Sequence, residues 1–235
     1  KKKHLLVINR KDMIPSKARE LWDQWFKDEN QNPLWSNAQN GNGINQIKEA
    51  AIHLGQDLNK RRRSRGMLER PIRALTLGFP NVGKSALINR LLNRKVVSSS
   101  RRAGVTRSLR WIRLGQSLDL LDAPGVLPSR LENQSSALKL AICDDIGQGA
   151  YDTQSVALGF LRMINQLRET ESFTSTAKNF EARYGVKLPL ESQQLHEWLS
   201  TVATEHSSGN LERMSQKLLD DYRKLFLGPI PLELP

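Results

Sequence analysis

The stretch Ile72-Arg73-Ala74-Leu75-Thr76-Leu77-Gly78-Phe79-Pro80-Asn81-Val82-Gly83-Lys84-Ser85 limits what this chain can become more than any other. Gly78, Gly83, Lys84 and Ser85 fit the phosphate-loop spacing G-x-x-x-x-G-K-[ST]. Glycines at these places let the backbone curl, so that successive N–H groups point at phosphate oxygens. Lys84 adds a positive charge at the β- and γ-phosphates, and the Ser85 hydroxyl suits Mg²⁺. Ile72 to Leu77 reads as a short buried strand. Leu87, Ile88, Leu91 and Leu92 recur at helical spacing, so the loop should open a helix, where anions are favoured. A glycine turn with no ligand is the alternative reading of the same residues.

The 235 residues suffice for one domain and a smaller second one. No apolar run reaches the length of a membrane span. Cys143 is the only cysteine, so no internal disulfide can form, no disulfide-linked partner is expected, and a reducing compartment fits. The four histidines show no metal-ligand spacing. The net charge of +12 favours an anionic partner, nucleic acid first. The charge is local. One run is Lys60, Arg61, Arg62, Arg63 and Arg65; a second stretch holds Arg101, Arg102, Arg107, Arg110 and Arg113. Arg61, Arg62, Arg63, Arg101 and Arg102 are the candidate RNA contacts.

An apolar strand, Leu5 to Ile8, ends in Asn9-Arg10-Lys11-Asp12. These four residues resemble the guanine-specificity motif N-K-x-D of Ras-like GTPases, with Arg10 in place of lysine. A carboxylate, here Asp12, accepts hydrogen bonds from guanine N1–H and its 2-amino group, and adenine offers neither donor there. Asn9 would brace the loop, and the Arg10 stem would lie on the base face. Met13 to Asp28 follows as an amphipathic helix whose Leu21, Trp22, Trp25 and Phe26 are expected in the core. After a brief strand at Pro33–Ser36, Asn37-Ala38-Gln39 and the glycines to Gly43 resemble the S-A-K loop of GTPases. That resemblance places the Ala38 N–H on guanine O6, although Asn37 departs from the usual serine. Ile44 to Leu58 reads as a second helix, and Lys60–Arg65, ending at Gly66, as an exposed linker or arm.

Beyond the phosphate loop, residues 96–107 lack periodicity and end in Gly104-Val105-Thr106. Leu109 to Leu114 and Leu118 to Leu121 read as a hairpin turning at Gly115-Gln116-Ser117. The second strand runs into Asp122-Ala123-Pro124-Gly125, which fits D-x-x-G. Asp122 would reach Mg²⁺ through water, and the Gly125 N–H would bond the γ-phosphate.

Ras-like chains carry the phosphate loop first and N-K-x-D near the end; here the order is N-R-K-D, N-A-Q, phosphate loop, Thr106, D-A-P-G, a circular permutation. The order, with G-F-P-N-V-G-K-S and D-A-P-G-V, resembles the circularly permuted GTPases of ribosome assembly. The likeness extends to Leu219-Asp220-Asp221-Tyr222-Arg223 and Leu232-Glu233-Leu234-Pro235. It implies an α/β fold: a circularly permuted P-loop GTPase domain over residues 1–131, then a small all-α, rRNA-binding domain over 132–235. There, Ala157, Phe160, Leu161, Ile164 and Leu167 share one helix face. So do Leu195, Trp198, Leu199 and Val202, and again Leu211, Met214, Leu218, Tyr222 and Leu225. The fold also needs a strand between those at Leu5–Ile8 and Ile72–Leu77. None is available, so a segment preceding this sequence is expected, with a gap between the two strands.

The resemblance further implies GTP and GDP as ligands, with Asn81, Val82, Gly83, Lys84, Ser85 and Ala86 at the phosphates. Ser85, Thr106 and Asp122 would serve Mg²⁺, and Asn81 would serve K⁺. Lys84, Thr106 and Gly125 would act in hydrolysis. Val126 stands where Ras has its water-orienting glutamine, so intrinsic hydrolysis should be slow and assisted by potassium and ribosomal subunits. The implied partner is a large ribosomal subunit precursor and its rRNA, with no membrane, the protein being a monomer off the ribosome. The implied place is a bacterial-type cytoplasm, or an organelle stroma or matrix. Rival readings are an ATP-dependent P-loop kinase, a GTPase acting on transfer RNA or a membrane, and an RNA-binding module that keeps nucleotide without turnover.

Overall fold

The computed structural model describes residues 3–95, 109–126, 133–168 and 170–235. The expectations for Arg101, Arg102, Thr106 and Arg107 lie outside these residues. By contacts the chain divides into two compact units, one of Lys1–Lys11 with Phe26–Pro128, the other of Asp12–Trp25 with Ser129–Pro235. Among the described residues no helix is long and apolar enough to cross a membrane.

Strand β1 (Val7–Ile8) leads through a single turn at Lys11–Met13 to helix α1 (Ser16–Asp28). The helix starts late because Pro15 precedes it, and the Pro15 carbonyl accepts from Arg19 N at 3.1 Å. Its aromatic stripe is not in a core. Only Ala18 is buried, Leu21 is 50% exposed and Trp25 40%. Helical spacing sets which side chains share a face, but not whether anything covers that face.

Strand β2 (Leu34–Trp35) pairs in parallel with β1, Val7 opposite Leu34 and Ile8 opposite Trp35. Helix α2 (Ile44–Arg63) follows, then β3 (Ile72–Thr76), helix α3 (Lys84–Leu91), β4 (Arg110–Leu114) and β5 (Leu118–Asp122). The second sheet has the order β3-β5-β4; β3 and β5 are parallel, and β5 and β4 form the expected antiparallel hairpin. Strands β1 and β3 share no ladder among the described residues, as the motif order led us to expect. One sheet face is apolar by strict alternation. Ile72 and Ala74 of β3, Ile112 and Leu114 of β4, and Leu118 and Leu120 of β5 cluster with Ile88, Leu91 and Leu92 at α3 and with Ala51 and Ile52 of α2. The alternate residues are not covered in the same way: Leu75 is 51% exposed. The strand expected to be buried is therefore half-buried.

Helix α2 is longer than its apolar pattern. The Lys60–Arg63 run, expected as a loose arm, forms its last turn, with Ser64 as C-cap. Nothing in the run breaks a helix, and cations are favoured at a helix C-terminus. The chain then folds back: Arg62 Nε donates to the Leu68 carbonyl at 2.8 Å, and Arg63 pairs with Glu69 at 3.1 Å.

The second unit holds helices α4 (Gln134–Ile142), α5 (Thr153–Gln166), α6 (Glu171–Tyr184), α7 (Leu195–Ser207) and α8 (Leu211–Arg223). Asn133, Asp152 and Asn210 cap α4, α5 and α8, each accepting backbone N–H bonds with its side chain. The three expected stripes meet in one core, with Phe160, Leu161, Leu195, Leu199, Val202, Met214 and Leu218 almost wholly buried. Burying each such large side chain contributes about 1.5–3 kcal/mol. Helix α6 adds Phe180 and Tyr184, both fully buried. Asp221 and Arg223, part of the tail string that carried the family resemblance, are structural. Asp221 accepts two bonds from Arg183 at 2.9 Å each and one from Tyr184 Oη at 3.0 Å. The buried Arg223 guanidinium donates to the Ala141 and Ile142 carbonyls, both at 2.8 Å, so it satisfies the end of α4.

Candidate nucleotide site

The loop from Gly78 joins β3 to α3 through two left-handed residues, Asn81 at φ 57° and Gly83 at φ 92°. Gly83 is required twice over. Its φ suits glycine, and an added Cβ would lie 2.2 Å from Asn9 Nδ2. Lys84 reaches back over the loop, donating from Nζ to the Gly78 carbonyl at 3.0 Å and the Phe79 carbonyl at 2.6 Å. The ammonium thus lies beside the backbone curl in which phosphate oxygens would sit, and Ser85 and Ala86 follow in the first turn of α3.

The residues expected to recognise the base are tied to this loop by one side chain. Asn9 Nδ2 donates to the Val82 carbonyl at 3.1 Å. Asn9 Oδ1 accepts from Ser36 Oγ at 3.2 Å and from Ala38 N at 3.3 Å. Sequence reasoning gave Asn9 a bracing role; it missed Ser36, which is fully buried. The available signal was its place at the end of β2, directly before Asn37. Asn37 also accounts for the missing serine. Its side-chain carbonyl accepts from Gln39 N at 2.8 Å and Asn40 N at 3.3 Å, so an asparagine-closed turn shapes the loop. Gly43, at φ 80°, completes it; a Cβ there would meet the Trp35 carbonyl oxygen at 2.2 Å. Arg10 sits at φ 57°. Lys11 N donates to the Ser36 carbonyl at 3.0 Å, and Lys11 Nζ to Asn42 Oδ1 at 2.6 Å. Asp12 is the next residue, in the Lys11–Met13 turn.

D-A-P-G closes on the phosphate loop from the other side. Val126 N donates to the Gly78 carbonyl at 3.2 Å. Gly125 is pressed against Pro80, where a Cβ would lie 2.6 Å from the proline N and Cα. Asp122 is buried at the end of β5. Its Oδ1 has no hydrogen-bond partner among the described residues. Burial pushes its carboxyl pKa up, while the nearby charges of Lys84 and Arg110 pull it down. A buried carboxylate oxygen short of a partner, next to a loop built for phosphates, is the chemistry that a divalent cation satisfies. The Asp122 carboxylate therefore fits Mg²⁺, which Asp122 and the expected Ser85 would hold.

A strand–glycine loop–helix unit, a D-x-x-G turn laid on it and an N-x-x-D segment fastened to it from an earlier part of the chain define a circularly permuted P-loop GTPase. A family model described as "50S ribosome-binding GTPase" matches residues 73–179. Ribosome biogenesis GTPase A of Bacillus licheniformis is 30% identical over 238 residues, covering 100% of this chain and 81% of that protein. The Bacillus cereus protein of the same name is 35% identical over 165 residues, covering 70% of this chain and 56% of that one. In fold, the chain matches the GNP-bound crystal structure of YlqF from T. maritima with a TM-score of 0.59 at 18% identity, covering 100% of this chain and 82% of that one. The chain belongs to the ribosome biogenesis GTPase A family. It is thus a GTPase of ribosome biogenesis.

Proposed function

We propose that this GTPase binds a large ribosomal subunit precursor in its GTP state and leaves after hydrolysis, so that turnover times an assembly step. The observation that carries the nucleotide part is the Asn9 side chain, which joins the phosphate loop at Val82 to the base loop at Ala38. Asp12 reads guanine. Arg10, Asn37, Ala38 and Gln39 line the base. Asn81, Val82, Gly83, Lys84, Ser85 and Ala86 surround the phosphates. Ser85, Thr106 and Asp122 serve Mg²⁺, whose chemistry when bound is neutralisation of the phosphate charge. The Gly125 N–H senses the γ-phosphate.

The Val126 side chain carries no hydrogen-bonding group to orient water, and the residue is 60% exposed. Intrinsic turnover is therefore slow, and assistance comes from K⁺ held at Asn81 and from the ribosomal subunit. The +12 charge and the names of the relatives support an rRNA partner in a bacterial-type cytoplasm. The test is GTP turnover with and without large subunits, in KCl and in NaCl, with cosedimentation in a GTP analogue and in GDP. Stimulation only by subunits plus KCl, with analogue-favoured binding, is the expected outcome. Turnover indifferent to subunits, or binding indifferent to nucleotide, defeats the reading.

A further inference from the structure

The basic run at the end of α2 is not a bare helix tip; it forms one wall of a groove. The segment after Gly66 returns alongside α2 and is clamped there. Asn59 Nδ2 donates to the Arg70 carbonyl at 2.9 Å, and Asn59 Oδ1 accepts from Arg70 N at 3.2 Å. The β4–β5 turn closes the third side, with Ile72 N donating to the Ser117 carbonyl at 2.9 Å. Between these three pieces lies a cavity of about 610 Å³, lined by Gln56, Lys60, Arg63, Arg70 and Ser117 among others. Ile52, Gln56, Asn59, Lys60 and Arg63 reach it because their spacing puts them on one helix face. Three cations meet there, against the single acid Glu69, which pairs with Arg63.

The groove's width is set by close packing. Gly55 lies inside α2, where glycine costs about 1 kcal/mol relative to alanine. A Cβ there would meet Ile72 Cγ2 at 2.4 Å. The glycine lets α2 lie directly on the start of β3, which holds Lys60 and Arg63 near Arg70.

We propose that this groove is an RNA site, binding backbone phosphates through Lys60, Arg63 and Arg70 and ribose hydroxyls or base edges through Gln56, Gln116 and Ser117. The choice of RNA rests on the proposed role in ribosome assembly. The groove lies at the start of β3 and the phosphate loop follows its end, so about 15–20 Å of extended chain separates them. RNA held here leaves the nucleotide site open.

The experiment measures filter binding of transcribed large-subunit rRNA across a KCl series. It compares the wild-type protein, Lys60→Ala with Arg70→Ala, and a charge-matched control, Lys27→Ala with Lys48→Ala. GTP affinity and cosedimentation with large subunits are measured alongside. Loss of two phosphate contacts should make the log–log salt slope of the groove variant shallower by about 1.4–1.8, with GTP affinity unchanged. Gly55→Ala, which alters no charge, should weaken rRNA binding at a fixed salt concentration. A groove variant indistinguishable from the control overturns the site while leaving the ribosome role intact if wild-type protein still sediments with subunits. Wild-type protein that binds rRNA through the groove but ignores subunits overturns the ribosome role and leaves the site. Binding to neither overturns both. Displacement of the rRNA by poly-glutamate at equal charge would assign the groove to an acidic protein segment and overturn the RNA assignment.

Discussion

Asn9 donates from Nδ2 to the Val82 carbonyl at 3.1 Å, across 73 positions of sequence. The same side chain accepts from Ser36 and Ala38. The base end and the phosphate end of the site are therefore mechanically one piece. Asn9→Ala removes all three bonds and leaves the buried Ser36 hydroxyl without this acceptor. GDP affinity should fall about ten- to hundredfold. Titration calorimetry checks this, and an unchanged affinity would count against the bracing role.

Gly83→Ala should fail for a reason that can be isolated. The new methyl meets Asn9 Nδ2, and φ of 92° is unfavourable for alanine. The expected loss is about 2 kcal/mol or more in folding free energy. In Asn9→Ala the collision is gone and only the backbone strain remains. A double-mutant cycle by chemical denaturation should thus show the two changes to be less than additive.

Asp12→Asn should relax the choice of base. An amide can present a donor to the donor edge of guanine, so the preference for GTP over ATP should drop by at least about a hundredfold. Competition of ATP against a fluorescent GDP analogue measures it. Equal competition by ATP in the unmutated protein would remove the assignment of Asp12.

Asp122→Asn should move stability and function in opposite directions. Burial raises the Asp122 pKa, so the ionised group opposes folding at neutral pH. Its contribution is favourable below the ordinary aspartate range and is lost as pH rises through the folded value. Without Mg²⁺, the amide variant should therefore melt higher than wild type at pH 7, with the difference shrinking in acid. The same variant should lose the Mg²⁺ dependence of GTP binding, whereas Lys84→Ala weakens triphosphate binding with or without the metal. Thermal melts and nucleotide titrations with and without chelator separate these outcomes.

Alkali should loosen the helical unit. Burial first, then the adjacent Asp221 carboxylate, raises the Tyr184 phenol well above its ordinary value. The neutral phenol is the native form, so its contribution is complete below about pH 10 and is lost as pH climbs towards the folded value. Denaturant midpoints should fall above that pH, and Tyr184→Phe should flatten the fall. Asp221→Ala, which strips Arg183 and Tyr184 of their shared acceptor, should cost about 2–4 kcal/mol at pH 7.

The phosphate loop, the D-A-P-G turn and the β4–β5 hairpin were legible because their chemistry is local: spacing alone fixes which group faces which. The bundle stripes of α5, α7 and α8 were legible for the same reason. Contacts that depend on chain return were not. The Lys60–Arg63 run resembles a linker in composition, and only the bonds from Arg62 and Asn59 to the returning segment reveal a helix end with a wall beside it. Helix α6 went unread because Phe173, Phe180 and Tyr184 are diluted by serine and threonine. The surface position of Leu21 and Trp25 was beyond reach, since a periodic stripe looks the same whether covered or bare. Asn9 was assigned through its motif, but Ser36 as its neighbour and Pro80 as the neighbour of Gly125 required three dimensions.

The link from Asn9 to Val82 also sets an order of events during synthesis. Asn9 leaves the translating ribosome before the residue it must hold has been made. At about 5–20 residues per second, the 73 residues from Asn9 to Val82, counting Val82 itself, take roughly 4–15 s. Until then the Asn9–Asn37 region stands without its anchor and α3 does not exist. The nascent protein thus cannot hold nucleotide before the phosphate loop has been made, and its first chance to bind GTP comes once that loop clears the exit tunnel.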